Sequence, residues 1–510
     1  MHVHILGICG TFMGGLALIA KQAGHKVSGS DQNVYPPMSD ELAQAGIEIY
    51  QGYGAEQLDC KPDLIVVGNV MKRGMPVVER MLNERFNYVS GPQFLEDLYL
   101  RQKTVLAVSG THGKTTTTAM LTWILECAGK NPGFLVGGVP ENFGYSARGS
   151  DSEYFVIEAD EYDSAFFDKR SKFVHYHPNV AIINNIEFDH ADIFASINDI
   201  KKQFHQMVRI IPSTGTVIYP AQDTNVVDTI NMGLWSKGVA VGSPACPYAL
   251  CLQAADGSVF TVHEQGAGSA TAVEASATTS ATAAEASVAT GAVAASAATN
   301  ATATSATSTD RSVGAISLGK EVAKVTLQAT GVHNAHNAFM AMLAAAAIGI
   351  PLAESAKSLA TFKMPKRRME LVGTIGDIHV YDDFAHHPTA IATTIDGLRQ
   401  RLGAKARIVC VFEPRSNSMK MGANRELLGK SFAEADEIFV YQNEAVHWDM
   451  SILERDCPKP LHIVATNTND LIAEVIKATD AHTSIIVMSN GGFENVKGRL
   501  VQALQEQAQH

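Results

Sequence analysis

Residues Thr104–Thr118, which read TVLAVSGTHGKTTTT, constrain this chain more than any other stretch. A β-rich apolar run, Val105–Val108, enters a loop holding Gly110 and Gly113. The chain then leaves on a helical pattern whose apolar positions include Met120, Leu121, Ile124 and Leu125. Strand, glycine loop and helix in that order make a phosphate cradle, because loop and helix-start N–H groups face an anion and the helix dipole reinforces them. The glycines let the backbone come close, Lys114 can reach the β- and γ-phosphates, and the Thr115 hydroxyl can ligate Mg²⁺. The generic pattern has an earlier glycine where Val108 stands, so this is a G-T-x-G-K-T-T variant. Strand, glycines, lysine and helix together predict a nucleoside triphosphate ligand.

A chain of 510 residues accommodates about three domains. The net charge of −12 argues against a nucleic-acid partner, so an anionic ligand must be held by local groups. The seven cysteines are scattered, with no C-x-x-C, which fits reduced thiols in a cytoplasmic protein better than a disulfide framework or zinc site. Strand-like Val3–Ile5 follows the initiator at once, without a basic stretch or cleavage site, and no signal peptide is expected. The longest apolar segment, roughly 338–350, stops at Pro351, too short to insert in a membrane, and reads as a buried helix.

Residues 1–101 read as one α/β unit. A strand at His2–Leu6 leads into the glycine-rich turn Gly7-Ile-Cys-Gly10-Thr11-Phe-Met13-Gly14-Gly15 and an amphipathic helix through Ala23. A second strand, His25–Ser30, ends in Asp31. The layout is that of a dinucleotide-binding turn. Cys9, however, replaces the second glycine, which leaves an NAD site, another nucleotide diphosphate and mere tight packing all open. Asp63–Gly68 is a further buried strand, followed by a helical stretch at Pro76–Glu84.

In the second unit, 102–353, Tyr154–Glu158 and Val180–Asn184 are apolar strands whose ends carry Glu158, Asp189 and His190. Ligands gather at the carboxyl ends of parallel strands, so these residues should converge on the phosphate loop. From about 265 to 312 the sequence is Ala/Ser/Thr-rich with almost no large apolar residues. Such a segment is expected to be a disordered insert between strands at Ser258–Val262 and Val322–Leu327, because it cannot bury enough surface to offset its ordering entropy. Then Gly331-Val-His333-Asn334-Ala-His-Asn337 opens the buried helix. The third unit, 354–510, starts with a helix, then Lys366-Arg367-Arg368. Strands follow at His379–Tyr381, Arg407–Phe412, Glu437–Tyr441, His462–Val464 and Ser484–Met488, alternating with helices, which argues a mostly parallel sheet. Two of its loops are chemically loaded: Asp382-Asp383-Phe-Ala-His386-His387-Pro388, and Glu413-Pro-Arg415-Ser416-Asn417-Ser-Met-Lys420-Met-Gly422.

In this order the motifs resemble the Mur ligases, ATP-dependent amide-forming enzymes of bacterial cell-wall synthesis. The resemblance implies an α/β protein of three domains: an N-terminal Rossmann-like UDP-binding domain, a central P-loop ATPase domain with a mostly parallel sheet, and a C-terminal Rossmann-like domain. Gly7, Gly10, Thr11, Met13, Gly14 and Asp31 fall in the UDP-N-acetylmuramate region. Gly110, Thr111, His112, Gly113, Lys114, Thr115 and Thr116 match the family's phosphate loop, with Thr115 and Glu158 on one Mg²⁺ and His190 on a second. His333, Asn334 and Asn337 match the adenine contacts, since amides carry donor and acceptor together. Arg368 matches the arginine that reaches the phosphates on closure, and Asp383 and His386 match groups that reach ribose and phosphate. Lys114, Glu158, His190 and Arg368 are thereby the expected catalytic set. Several members also carry a carbamylated lysine beyond the histidine. Here His205 stands in its place, with Lys201 and Lys202 a turn away, which speaks against that modification.

The loop Glu413–Gly422 resembles the subgroup that joins UDP-N-acetylmuramate to the recycled tripeptide L-alanyl-γ-D-glutamyl-meso-diaminopimelate. Arg415 offers a planar fork for a carboxylate, and Ser416 and Asn417 offer neutral hydrogen bonds, so this loop is the expected peptide reader. The implied chemistry is activation of the sugar's lactyl carboxylate as an acyl phosphate, then capture by the peptide amine. Domain closure would exclude water from that intermediate. The nearest rival is the same fold adding free L-alanine. An NAD-linked oxidoreductase leaves Lys114, Glu158 and His190 unexplained, and a non-catalytic nucleotide switch leaves Arg368 and Asp383 without a purpose.

Overall fold

The computed structural model describes residues 1–34, 38–265 and 318–509. The Ala/Ser/Thr-rich insert expected at about 265–312 lies, apart from Gln265, outside the described residues.

The first unit is a five-stranded parallel sheet of β1 (His2–Leu6), β2 (Lys26–Asp31), β3 (Glu48–Gln51), β4 (Leu64–Val67) and β5 (Tyr88–Ser90), in the order β3-β2-β1-β4-β5. Chain order reverses between β1 and β4, and the turns after these two strands, at Gly7 and Gly68, open the crevice where such sheets receive ligands. The helix Thr11–Gln22 is not the amphipathic surface helix expected. Met13–Ala20 are buried without a break. One side lies on this sheet and the other on the second unit, where a Cβ on Gly15 would meet Ala147 at 3.0 Å and Leu135 at 3.3 Å.

The second unit has seven strands: β6 (Thr104–Ser109), β7 (Gly133–Leu135), β8 (Ala147–Arg148), β9 (Tyr154–Glu158), β10 (Val180–Ile183), β11 (Thr216–Pro220) and β12 (Lys237–Val241). Their order is β12-β11-β10-β6-β9-β7-β8, with only β8 antiparallel to its neighbour. The strand that feeds the phosphate loop is therefore central, flanked by β9 and β10. A small antiparallel sheet follows, β13 (Tyr248–Leu252), β14 (Val259–Gln265) and β15 (Leu318–Thr326), with Gln265 paired to Leu318. The Ala-rich helix Val332–Ala347 packs closely on the helix Lys114–Cys127, as its small side chains permit. The helix Leu352–Leu359 and Phe362 join the same core. Packing thus carries the central unit past the boundary expected at 353, because the apolar face of that helix is spent on the second unit rather than the third.

The third unit is a six-stranded sheet: β16 (Glu370–Ile375), β17 (Ile378–Asp383), β18 (Arg407–Phe412), β19 (Glu437–Tyr441), β20 (Leu461–Val464) and β21 (Thr483–Met488). The order is β16-β17-β21-β18-β19-β20, all parallel except β16. The first two units share two apolar clusters: one holds Leu16 and Ala17 with Leu135 and Ala147, and the other holds Leu58 and Met81 with Ala165. The third keeps its own cores on the two faces of its sheet. Its backbone also comes close to the second unit at Gly397, where a Cβ would lie 2.8 Å from the Gly331 Cα. No helix among the described residues is long and apolar enough to cross a membrane.

Candidate active site

The loop after β6 turns through Gly110 (φ +133°) and Gly113 (φ +79°), backbone that side chains rarely adopt. Both are also crowded: a Cβ on Gly110 would touch the Asn184 and Asn185 backbone nitrogens at 3.1 Å, and one on Gly113 would meet Asn337 Oδ1 at 2.7 Å. The loop is laced to the chain beyond β10. His112 N donates to Asn185 Oδ1 (2.8 Å), Thr111 N to Asn185 O (3.2 Å), and Glu187 N to Thr111 Oγ1 (2.8 Å). Lys114 then starts the helix with Thr115 and Thr116 buried behind it, so helix-start N–H groups ring the loop.

Around Lys114 stand the carboxylates of the β9 end. Its Nζ donates to Gly110 O (2.7 Å) and lies 3.5 Å from Glu161 Oε2 and 3.7 Å from Asp160 Oδ1. Burial works against its charge, but Glu161 and Asp160 outweigh that and hold its pKa above the ordinary lysine value. Glu158 accepts from Thr115 Oγ1 (3.0 Å) and Gly137 N (2.7 Å). Burial and then the neighbouring Asp160 push its pKa up, so this carboxylate lacks a full share of positive charge. His190, at φ +54°, sits 3.4 Å from Glu161 Oε1. Burial opposes its protonation, yet the bond to Glu161 raises its pKa above the usual histidine value. Of the expected metal ligands, Thr115 and Glu158 are in contact, and His190 is held apart on Glu161.

The helix-start amides interlock. Asn334 Nδ2 donates to Thr330 O (2.6 Å), Asn337 Nδ2 donates to Asn334 Oδ1 (3.2 Å), and Asn337 Oδ1 turns to Gly113. Burial drags His333 beside them down to about 4. From the third unit, Arg368 Nη2 donates to Thr115 Oγ1 (3.2 Å), with its guanidinium 5.1 Å from the Phe384 ring centre. Arg367 and Met369 on either side have φ of +61° and +50°. Asp383 fastens this strained turn, accepting from Met369 N and Ala385 N, each at 2.8 Å. Its carboxylate thus positions Arg368. His386 Nδ1 bonds Phe384 O (3.0 Å), and burial lowers the ring to about 4, leaving Nε2 as the acceptor.

A cavity of about 240 Å³ joins the first unit to this centre. Gly7, Gly10, Thr11 and Met13 line one wall, and Glu158, Asp160 and Lys172 the other. Two expected members of the sugar site lie elsewhere. A Cβ on Gly14 would collide with the Met38 side chain, and Asp31 accepts from Cys9 N and Asn33 N, each at 2.9 Å, which braces the glycine turn. At the peptide loop, Ser416 Oγ caps Met419 N (3.2 Å) and Asn417 Nδ2 donates to Asp192 Oδ2 (2.8 Å). Both of these expected peptide contacts are engaged in seating the loop, whereas Arg415 is exposed beside Gly491. Ser418 completes the docking with a 2.6 Å bond to Asp189 Oδ1.

Residues 2–103 match the Mur ligase family, catalytic domain; 108–239 match the Mur ligase middle domain; and 367–491 match the Mur ligase, glutamate ligase domain. The chain belongs to the Mur ligase family. This Mur ligase is 45% identical, over all of its length and 99% of the relative's, to the Escherichia coli UDP-N-acetylmuramate–L-alanyl-γ-D-glutamyl-meso-2,6-diaminoheptandioate ligase. The crystal structure of a murein peptide ligase from Psychrobacter arcticus is 42% identical, covers 99% of each chain and superposes with a TM-score of 0.70. The UDP-N-acetylmuramate–L-alanine ligase of Clostridium tetani is 30% identical over 81% of this chain and 77% of its own.

Sequence reasoning passed over several groups of this Mur ligase's centre. Asp160 and Glu161 were visible only as part of an acidic run, although Glu161 is 2% exposed and holds both Lys114 and His190. Lys172 is buried with its ammonium on Asp160 Oδ2 (3.1 Å) and 4.6 Å from the Phe12 ring centre. In sequence it is one of several basic residues in a row, so nothing local marked it.

Proposed function

We propose that this Mur ligase uses ATP to join UDP-N-acetylmuramate to L-alanyl-γ-D-glutamyl-meso-diaminopimelate, releasing ADP and phosphate, as a step in recycling cell-wall peptide. The observation that carries the peptide as substrate is the 45% identity, end to end, with a ligase of that name, against 30% over a shorter span for the L-alanine ligase. The geometry supports the chemistry. The cavity sets a glycine turn suited to a nucleotide diphosphate against the acids beside the phosphate loop.

Mg²⁺ fits the donors present. Half-buried Glu158 is short of a cation and accepts from the Thr115 hydroxyl, and a hard ion favours such oxygen ligands. In this reading Thr115 and Glu158 hold one Mg²⁺ and His190 a second; bound there, the ions neutralise charge on the phosphates. Lys114 and Arg368 approach the transferring phosphoryl group from opposite units. The lactyl carboxylate displaces ADP from the γ-phosphorus to give an acyl phosphate. The peptide amine then attacks the acyl carbon, losing a proton as phosphate leaves. In this reading Asn334, Asn337 and His333 border the adenine, and Asp383 and His386 lie toward the ribose and phosphates. Arg415, exposed beside Gly491, reads a peptide carboxylate. The binding of UDP-N-acetylmuramate falls to Gly7, Gly10, Thr11 and Met13.

The test is an amine panel with UDP-N-acetylmuramate, ATP and Mg²⁺, scored by ADP release and product mass. Turnover with the tripeptide at least tenfold above that with L-alanine is expected. Preference for L-alanine would transfer the chain to the other branch of the family, and no ADP with any amine would end the reading.

A further inference from the structure

At the rim of the phosphate loop three side chains from three segments aim at one point: His112 of the loop, Glu187 beyond β10, and His387 at the start of the helix Pro388–Leu402. His112 Nε2 is 3.6 Å and His387 Nδ1 3.5 Å from Glu187 Oε2, and the ligating atoms all lie within 4.8 Å of one another. A tetrahedral ion with bonds of ~2.0–2.2 Å sets neighbouring ligand atoms about 3.4 Å apart. Two of the three edges already have about that length, and the third is no longer than 4.8 Å.

The Thr389 N–H lies 3.4 Å from His387 Nδ1, a contact long enough to be displaced. Thr389 Oγ1 donates to Glu187 Oε2 at 2.6 Å, an outer hydrogen bond of the kind that orients a metal-bound carboxylate. His112 Nε2 is buried with no hydrogen-bond partner among the described residues. An uncapped ring nitrogen facing a carboxylate and a second imidazole is a vacancy in the hydrogen-bond pattern that a cation would satisfy.

We propose that His112, Glu187 and His387 bind a transition-metal dication of the zinc type, with a fourth position open to water. Two imidazoles and a carboxylate suit Zn²⁺ or Co²⁺, whereas Mg²⁺ favours an octahedron of oxygens and keeps to Thr115 and Glu158. Two ligands come from the second unit and one from the third, so the site is complete only when the units are seated together. Its occupant therefore ties them beside the phosphate loop.

The probe is Co²⁺, titrated into the full chain in excess Mg²⁺ without nucleotide or sugar, with visible absorption and equilibrium dialysis as readouts. One Co²⁺ per chain is expected, with the intense bands of a four-coordinate ion, displaced by one equivalent of Zn²⁺. Glu187→Gln and His387→Ala should each weaken binding about tenfold or more while keeping the wild-type circular dichroism spectrum. Where His387→Ala does not fold, His387→Asn keeps a helix-capping side chain and serves instead. Only weak, six-coordinate bands in the wild type, or binding of wild-type strength in the folded variants, would overturn the assignment. Because neither substrate is present, failure of the proposed ligase reaction leaves this result untouched.

Discussion

Lys114 illustrates how one side chain serves both chemistry and structure. It lies among Asp160, Glu161 and Glu158, and those acids keep it charged in a buried place. Lys114→Ala should lower ADP release by about 10²-fold or more, the scale of losing one preorganised electrostatic contact. It should also cost about 3–5 kcal/mol of stability by stranding buried carboxylates, read as a fall in thermal midpoint. Full turnover in the folded variant would remove Lys114 from the reaction. Arg415→Ala should raise KM for the tripeptide about tenfold and leave KM for ATP unchanged, since Arg415 is exposed and makes no bond to the phosphate loop among the described residues. An unaltered tripeptide KM would dismiss it as the peptide reader. Glu187 predicts a pH effect. Its folded pKa is depressed from 4.5 to about 2, so its contribution to stability is complete above pH 4.5 and is lost as pH falls toward 2. Urea unfolding of Glu187→Gln should accordingly depend less steeply on pH across that interval than the wild type. Parallel curves would mean that Glu187 is not held by its neighbours.

Among elements, the strands buried on both faces were the plainest in the sequence. β6, β10, β18 and β21 are continuous Val/Ile-rich runs, and such runs announce themselves. Those that went unnamed include the short interior strands β7 and β11 as well as edge or polar ones. β16 is half exposed and interrupted by Gly373, β8 has two residues, and β12 begins Lys237-Gly238. The phosphate loop and Glu158 were legible because their chemistry is written in adjacent residues. Lys172 and the Glu161–His190 contact were not, because only the folding of distant segments brings them together. The same limit explains the helix Thr11–Gln22. Its outer face looked like surface until the second unit covered it. The β14–β15 hairpin yields a prediction. Gln265 and Leu318 are cross-strand partners, so the segment 266–317 starts and finishes at one point of the fold. Replacing it with a four-residue Gly/Ser turn should leave kcat within about twofold and the thermal midpoint unchanged, since loop length costs little. Loss of activity would give the segment a part in the reaction.

At the scale of the whole molecule, the division of apolar cores is uneven. Two clusters bind the first unit to the second, while among the described residues no cluster joins the third to either. The third unit is joined through polar contacts: Arg368 to Thr115, Thr389 to Glu187, Asn417 to Asp192, Ser418 to Asp189, and Arg401 to Gln328 O. Interfaces of that kind permit relative motion. Calorimetry should resolve two unfolding transitions, one for the third unit and one for the fused first pair, and bound nucleotide should draw them together. A single transition without ligand would contradict this partition.

The bare meeting of Gly397 with Gly331 leaves no room for a side chain between the second and third units. A methyl added at Gly397 would lie 2.8 Å from the Gly331 Cα and 3.0 Å from its nitrogen, so one of the two segments has to give way. Gly397→Ala should therefore act as a shim, loosening the bond from Arg368 to Thr115 without altering either residue.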